Sequence, residues 1–428
     1  LGGIDFVFRD VWSLDLEEDF PSADAEVAAG DFNGDGAVDL FVASGGSPLE
    51  SGDVGYQDRL YLGDGEGGFA RDFESSLSSK TEATGALAIA DFNGDSYLDV
   101  FAGGGSEPGR YPEPERSSFW LGNAGGGFSL VEDTIAPGLD QIGRMTAAAW
   151  CRFRAEALSD LVTLTEWGAP LLWRNRSGKL ELDEDAFGGE SLSGLWSSLA
   201  AGDFDGDGLL DLAVGNLGLN TGGLWEPSLG SRTLWWKNGD DGIHLLETHE
   251  EAGVAYPLAW LDRQKQSMAE LRDTSYSEYA GSSAEALFGP FEDSGYEALS
   301  LSEARSGVLW QKPDGSFEFE ALPAVFQGGR CVAMLATDLD RDGACDLVCA
   351  LEPPSPAPWT GRAERGYLVV GLGAADRDFR TELAGESGLS IGEQSPRELL
   401  WADFDGNGER ELMVVGLKGE PLIFVRTR

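Results

Sequence analysis

Histidine is almost missing from this chain, with 2 among 428 residues. Both, His244 and His249, fall near the turn of one unit and read as surface residues, which leaves a catalytic reading little to stand on. Cysteine is nearly as rare. Cys151, Cys331, Cys345 and Cys349 form neither CxxC pairs nor the dense framework of a small disulfide-stapled protein. Cys345 and Cys349 share one face of an expected strand and do not suit a bond to each other. Buried free thiols are expected, with a Cys331–Cys349 bridge across a hairpin as the alternative. No apolar run approaches the length of a membrane-spanning helix. The opening Leu1-Gly2-Gly3 lacks a basic region followed by an apolar stretch, so any export leader is expected to have been removed already.

Positive charge is the remaining shortage. Thirty Lys and Arg face 75 Asp and Glu, a formal net charge of −45. A surface of that sign repels phosphate backbones and argues against nucleic-acid binding. It also repels itself, which favours divalent cations as counter-charge. General acidity for solubility accounts for the count of acids. It does not account for their spacing.

Five segments repeat one pattern: 31–39, 91–99, 203–211, 338–346 and 403–411, as in Asp31-Phe-Asn-Gly-Asp-Gly-Ala-Val-Asp39. A sixth, 152–160, keeps the framework but carries Arg152 and Arg154 in place of acids. A small-residue strand precedes each loop, such as Ala86–Ala90 or Leu199–Gly202, and an apolar strand follows, such as Leu40–Ala43 or Leu347–Ala350. Third strands are expected at Arg59–Leu62, Phe119–Leu121, Leu171–Trp173, Leu234–Trp236, Val308–Trp310 and Tyr367–Val370. Fourth strands follow Gly- or Asn-rich turns, as at 68–69, 128–130 and 317–319. Four short strands per unit, repeated, predict an all-β, seven-bladed β-propeller of antiparallel blades filling residues 1–428. Seven comes from the spacing: the 135-residue interval from 203 to 338 is read as two blades plus an insertion. Phe6–Val11 resembles Phe69–Phe73 and is expected to supply the last blade's fourth strand, closing the ring without a bare edge. Residues 257–290 break the pattern. Leu261, Met268, Leu271, Tyr276, Tyr279, Leu287 and Phe288 have helical spacing, so a small helical insertion is expected, its apolar stripe facing core.

Hard cations take about six to eight oxygen ligands. In each nonapeptide the side chains at positions one, three and five converge, position seven offers its carbonyl, and position nine is expected to close the shell bidentately. The candidate calcium ligands are therefore Asp31, Asn33, Asp35, Ala37 and Asp39; Asp91, Asn93, Asp95, Tyr97 and Asp99; and Asp203, Asp205, Asp207, Leu209 and Asp211. Two further sets are Asp338, Asp340, Asp342, Ala344 and Asp346, and Asp403, Asp405, Asn407, Glu409 and Glu411. About five Ca²⁺ are expected. Glycine at position six permits the positive φ of the sharpest bend, and the aromatic at position two (Phe32, Phe92, Phe204, Phe404) anchors the loop. The four-carboxylate loops at 203 and 338 should bind tightest and the Asn407 loop weakest; the Arg152/Arg154 loop should be metal-free, an arginine replacing the ion. Calcium affinities of roughly 10⁻⁴–10⁻³ M are typical of extracellular modules, which places the chain outside the cytoplasm, at a cell surface or in a periplasm.

The Asp-Phe-Asn-Gly-Asp-Gly-x-x-Asp-Leu loops resemble FG-GAP/VCBS repeats, as found in the integrin α-subunit propeller and in bacterial secreted proteins. Tyr56–Leu62, Gly109–Pro112, Ser198–Phe204 with Gly215–Asn220, and Tyr256–Leu258 are similar to bacterial relatives of the ASPIC/UnbV and cartilage acidic protein group, without the C-terminal ASPIC/UnbV domain. The resemblance implies a seven-bladed fold, calcium in the loops, and export. It hands over no defined activity.

The calcium loops join strands one and two and so share one face. Long connections at 44–58, 103–118, 215–233 and 351–366 emerge on the other, carrying Arg110, Tyr111, Arg116, Trp225, Arg232, Trp359, Arg362 and Arg365. In integrin α-subunits, which this resembles, that face meets the partner subunit and ligand. The expected function is therefore a secreted recognition, adhesion or scaffolding module with a protein partner on this face, rather than an enzyme. The competing account is that the same residues brace the long loops. A carbohydrate-binding module stacking sugars on Trp225 or Trp359 is the alternative, and a polysaccharide-degrading enzyme a weaker one. Gly94-Asp95-Ser96 mimics a hydrolase motif but lies inside a calcium loop.

Overall fold

Each acidic nonapeptide connects the first two strands of one antiparallel sheet, and the register is the same every time. The residue before position one pairs with position nine: Gly30 with Asp39, Ala90 with Asp99, Cys151 with Asp160, Gly202 with Asp211, Thr337 with Asp346, and Ala402 with Glu411. The computed structural model describes Ser22 and residues 24–425, apart from 74–76, 78–79, 132–133, 155–157, 221–230, 240–241, 269–270, 292–294, 354–365, 375–376, 384–386, 393, 405 and 417–420.

The first sheet runs β1 (Asp24–Gly30), β2 (Asp39–Ser44), β3 (Arg59–Gly63) and β4 (Phe69–Arg71). The second repeats that order with β5 (Thr84–Ala90), β6 (Asp99–Gly104), β7 (Ser118–Gly122) and β8 (Phe128–Leu130). The third uses β9 (Met145–Cys151), β10 (Asp160–Gly168), β11 (Leu171–Asn175) and β12 (Leu180–Asp183), with the two-residue β13 (Gly194–Leu195) against the far end of β10. The fourth begins with β14 (Ser198–Gly202) and β15 (Asp211–Gly215) and is then interrupted. A separate sheet follows, built from β16 (Arg232–Gly239), β17 (Gly242–Glu251), β18 (Val254–Pro257) and β19 (Glu297–Leu301). Only afterwards do β20 (Gly307–Gln311) and β21 (Phe317–Ala321) complete the fourth sheet, β20 pairing with β15. The fifth sheet is β22 (Arg330–Thr337), β23 (Asp346–Glu352), β24 (Tyr367–Leu372) and β25 (Arg380–Leu383). The sixth is three-stranded, β26 (Pro396–Ala402), β27 (Glu411–Gly416) and β28 (Leu422–Phe424). The expected closing strand at Phe6–Val11 lies outside the described residues.

First strands pack on first strands: β1 on β5, β5 on β9, β9 on β14, β14 on β22, and β22 on β26. This is the blade arrangement of a propeller, and it explains the small residues there. A methyl at Gly85 would stand 2.4 Å from the Met145 carbonyl oxygen of the next blade.

The same packing corrects the expectation of seven equal blades. Because β14 lies directly against β22, no blade stands between the fourth and fifth sheets. Leu234–Trp236, expected as the third strand of the 203 unit, belongs to the inserted sheet. Val308–Trp310, assigned to a separate blade, is the true third strand of that unit. The interval was long because one sheet is split, not because two are present.

The inserted sheet leaves from the end opposite the acidic loops and lies against β10. Trp167, Leu234, Leu301 and Ala304 form the apolar contact beneath it. The expected helical segment falls between β18 and β19, as α1 (Leu261–Ser267), α2 (Tyr276–Gly281) and α3 (Ala284–Phe288). Ser275 caps α2 in a capping box with Glu278, which offsets amides otherwise orphaned at the first turn. Leu261, Met268, Leu271 and Tyr279 are buried with Leu246 and Phe291, so the stripe is core as expected. Tyr276 departs from it and is exposed.

Candidate metal centres

Position two behaves as the sequence suggested in three loops. Phe32, Phe92 and Phe204 are each 1% exposed, and burying such a ring contributes about 2–3 kcal/mol. Phe404, beside the three-stranded sheet, is 37% exposed. Position six adopts positive φ throughout: Gly36, Ser96, Gly208, Gly343 and Gly408. So does position four (Gly34, Gly94, Gly206, Arg341, Gly406), where glycine in four of the five loops already signals the bend. Arg341 at +67° holds a conformation that ordinarily favours glycine.

Position nine does something the spacing did not reveal. Asp39 accepts the Phe32 N–H at 2.9 Å on one oxygen and the Gly63 N–H of the third strand at 2.9 Å on the other. Asp99 does the same with Phe92 and Gly122, Asp211 with Phe204 and Gln311, and Asp346 with Leu339 and Gly373. Asp160 takes the Asn175 N–H in the 152–160 loop, and Glu411 the Phe404 N–H. This carboxylate ties loop to sheet first; each oxygen keeps at most a second lone pair for an ion, which disfavours the bidentate closure expected. Burial pushes Asp99 and Asp211 up to about 6, with Asp346 also raised, despite the lowering effect of those amides. An adjacent cation would oppose that shift.

Positions one, three and five divide the loops into two kinds. In the 31–39 loop, Asp31 Oδ1 accepts the Gly34 and Asp35 N–H groups at 2.7 and 3.1 Å, and Oδ2 the Gly36 N–H at 2.9 Å. Asn33 Nδ2 donates to Asp35 Oδ2 at 2.9 Å. The 91–99 loop repeats every one of these bonds. In the 403–411 loop Asp403 is likewise satisfied by Gly406, Asn407 and Gly408, while Asp405 lies outside the described residues.

The loops at 203–211 and 338–346 differ. Oδ2 of Asp203 and Asp338 still takes the position-six N–H, but Oδ1 of each is buried without any hydrogen-bond partner. In the same loops, Asp203, Asp205 and Asp211 bring carboxylate oxygens within 4.8 Å of one another, as do Asp338, Asp340 and Asp346. Leaving clustered carboxylate oxygens without a positive partner is costly. An all-oxygen donor set of this charge fits a hard divalent cation such as Ca²⁺. In the sixth loop a side chain supplies the charge instead: Arg154 Nη2 donates to Asp160 Oδ1 at 2.9 Å, as the sequence suggested.

Two family models match the chain, an FG-GAP-like repeat over residues 31–102 and an FG-GAP repeat over residues 195–225. These two stretches carry FG-GAP repeats. No curated protein matches it in sequence. Among solved structures, the chain is similar to BBS1N in its complex with ARL6DN at 11% identity and a TM-score of 0.36, covering 93% of this chain and 92% of that one. Sqt1 of Saccharomyces cerevisiae follows at 12% and 0.37, covering 90% and 80%. AofleA of Arthrobotrys oligospora stands at 10% and 0.34, covering 81% and 68%. Likenesses this weak carry no weight for function.

The proposed partner surface fares differently from the loops. Trp225, Trp359 and Arg362 lie outside the described residues. Arg110 donates to Glu113 and reaches Asn238 of β16 at 3.3 Å. The Tyr111 hydroxyl accepts from Trp167 Nε1 at 2.7 Å, and burial raises its pKa. Arg232 pairs with Glu247 and sits 6.0 Å over the Trp167 ring. These three fasten the inserted sheet to the second and third sheets, the bracing role foreseen as the competing account. The four cysteines are free, three of them buried.

Proposed function

We propose that this chain is a calcium-loaded, exported FG-GAP propeller acting as a non-catalytic protein-recognition or scaffolding module. The observation that carries the reading is the orphaned, buried Oδ1 of Asp203 and of Asp338, each inside a carboxylate cluster. The ion's place is structural: it fixes the turn between first and second strands and so the orientation of the blade. Six sheets, with the seventh held to one side, then form a ring closed between β26 and β1. Glu398 of the last sheet is near enough to Glu26 of the first to act on it electrostatically, which supports that closure. The partner is expected on the face of the long connections, where the inserted sheet adds area.

The test is a thermal melt of the chain in millimolar calcium and in excess chelator, joined to capture on the native surface and glycan arrays. Calcium-dependent stabilisation with one stoichiometric protein partner and blank arrays supports the proposal. An unchanged melt removes the calcium, and binding to arrays moves the function to carbohydrate recognition.

A further inference from the structure

The two four-carboxylate loops look equivalent in sequence, yet a neighbouring blade treats them differently. Arg377 lies in the turn between β24 and β25 of the fifth sheet and reaches back to the fourth. Its Nε donates to Asp205 Oδ2 at 3.0 Å, where the Asp205 side chain is only 8% exposed. Its guanidinium lies 5.0 Å from the centroid of the Trp310 ring on β20, and its Nη1 stands 4.0 Å from Glu318 on β21. The residue holds φ +63°, a left-handed conformation that glycine, and to a lesser extent Asn and Asp, adopt more readily than Arg. Three contacts to one neighbouring sheet hold it there. Asp340, the matching residue of the other loop, accepts the Asp342 N–H at 3.1 Å, and among the described residues no guanidinium or ammonium rests on it.

We infer that Arg377 is a built-in counter-cation that lowers the affinity of the 203–211 loop for its divalent ion and makes it a weaker, separately tuned site than 338–346. The inference rests on the calcium reading above. The fixed positive charge compensates one of the carboxylates that would otherwise be a full ligand, and it repels an incoming divalent ion. Even with water-like screening, a unit charge a few ångströms from a doubly charged ion shifts affinity by about tenfold. Arg377 also ties the fifth sheet to the fourth loop, so calcium entering that loop competes with a contact between blades. Among the described residues no guanidinium pairs with the 338–346 carboxylates, the loop's own Arg341 pairing with Glu409 instead, and this loop fills first.

Calcium titration by calorimetry decides it, using the full chain in calcium-stripped buffer. Asp338→Ala isolates the 203 site, and Asp203→Ala with Asp338→Ala gives the background from the other loops. Adding Arg377→Gln to Asp338→Ala is expected to lower the site's Kd about tenfold, while Arg377→Lys, which keeps the charge, leaves it near that of Asp338→Ala alone. Equal Kd values for Asp338→Ala with and without Arg377→Gln overturn the inference and leave the calcium reading standing. Absence of calcium binding in the unsubstituted chain overturns the calcium reading itself. Melts of each variant in chelator confirm that the comparison is made on folded protein.

Discussion

The loop at 31–39 and the loop at 203–211 share seven of nine residue types or close equivalents, but they solve one electrostatic problem in opposite ways. At position three, Asn33 carries a donor and turns it toward the Asp35 carboxylate; Asp205 carries none. The amide loop then folds on itself, with Asp31 accepting three backbone N–H groups. The acid loop leaves Asp203 Oδ1 buried with no hydrogen-bond partner. The amide at position three thus accompanies a turn complete by its own hydrogen bonds, and the acid in the 203–211 loop accompanies an orphaned carboxylate oxygen. The repeat is therefore not five copies of one site.

Calcium removal tests this distinction with the largest expected effect. Two filled sites at about a hundred times their Kd stabilise by roughly 5 kcal/mol together, near 10 °C in melting temperature. A melt that moves by less than a degree in excess chelator would falsify the assignment of ions to the 203 and 338 loops. Single substitutions then separate the two kinds of loop. Asp203→Asn or Asp338→Asn should lower stability by about 2–3 kcal/mol in calcium and leave it unchanged or higher in chelator, because the orphaned charge is gone. Asp31→Ala should lose about 1–3 kcal/mol in both conditions, since it strands amides whether or not metal is present. Equal sensitivity of Asp31→Ala and Asp203→Asn to chelator would erase the distinction. A smaller effect is expected from Asp340→Asn, which supplies the missing donor. Its chelator-induced shift should fall by about half, if each four-carboxylate site contributes equally, with urea midpoints as the measure.

The nonapeptides were legible because chemistry and backbone agree in them. A φ-positive glycine, an inward carboxylate and a buried phenylalanine recur together, and the hairpin register follows from their spacing. First and second strands, which flank these loops, were readable for the same reason. The inserted sheet was not. Leu234–Trp236 and Val308–Trp310 are both apolar strand-forming runs, and nothing local in either says which one pairs with Leu212–Val214. Pairing across the insertion is decided by packing of whole sheets. Arg377 was unreadable on similar grounds, because its partner Asp205 lies 172 residues away. The amides on Asp39, Asp99, Asp211 and Asp346 were missed for another reason: an acid that closes a loop in sequence has the same spacing whether it faces an ion or the backbone.

Clustered carboxylates in this chain meet a side-chain amide at 31 and 91 and a guanidinium at 160, and the proposed ion would serve them at 203 and 338. The pair Glu26 and Glu398, on the first strands of the first and sixth sheets, has no side-chain amide or guanidinium partner among the described residues, only the Leu87 N–H on Glu26. Surrounding protein pushes Glu26 up to about 7; the Leu87 N–H works against that shift and Glu398 adds to it. Glu398 is itself raised by burial. Both side chains still touch water, so screening keeps the effect small. A carboxyl whose folded value is raised favours the protonated state, so its stabilisation is complete below the unfolded value near 4.5 and lost as pH rises through about 7. The proton is the relief available at this seam. Melting temperature in saturating calcium should therefore fall slightly between pH 5 and 8, and Glu26→Gln should flatten that slope while leaving the chelator response intact. A slope unchanged by Glu26→Gln would place the titrating groups elsewhere; a slope that vanished together with the chelator response would tie the seam to the loops and join two mechanisms that the geometry keeps apart.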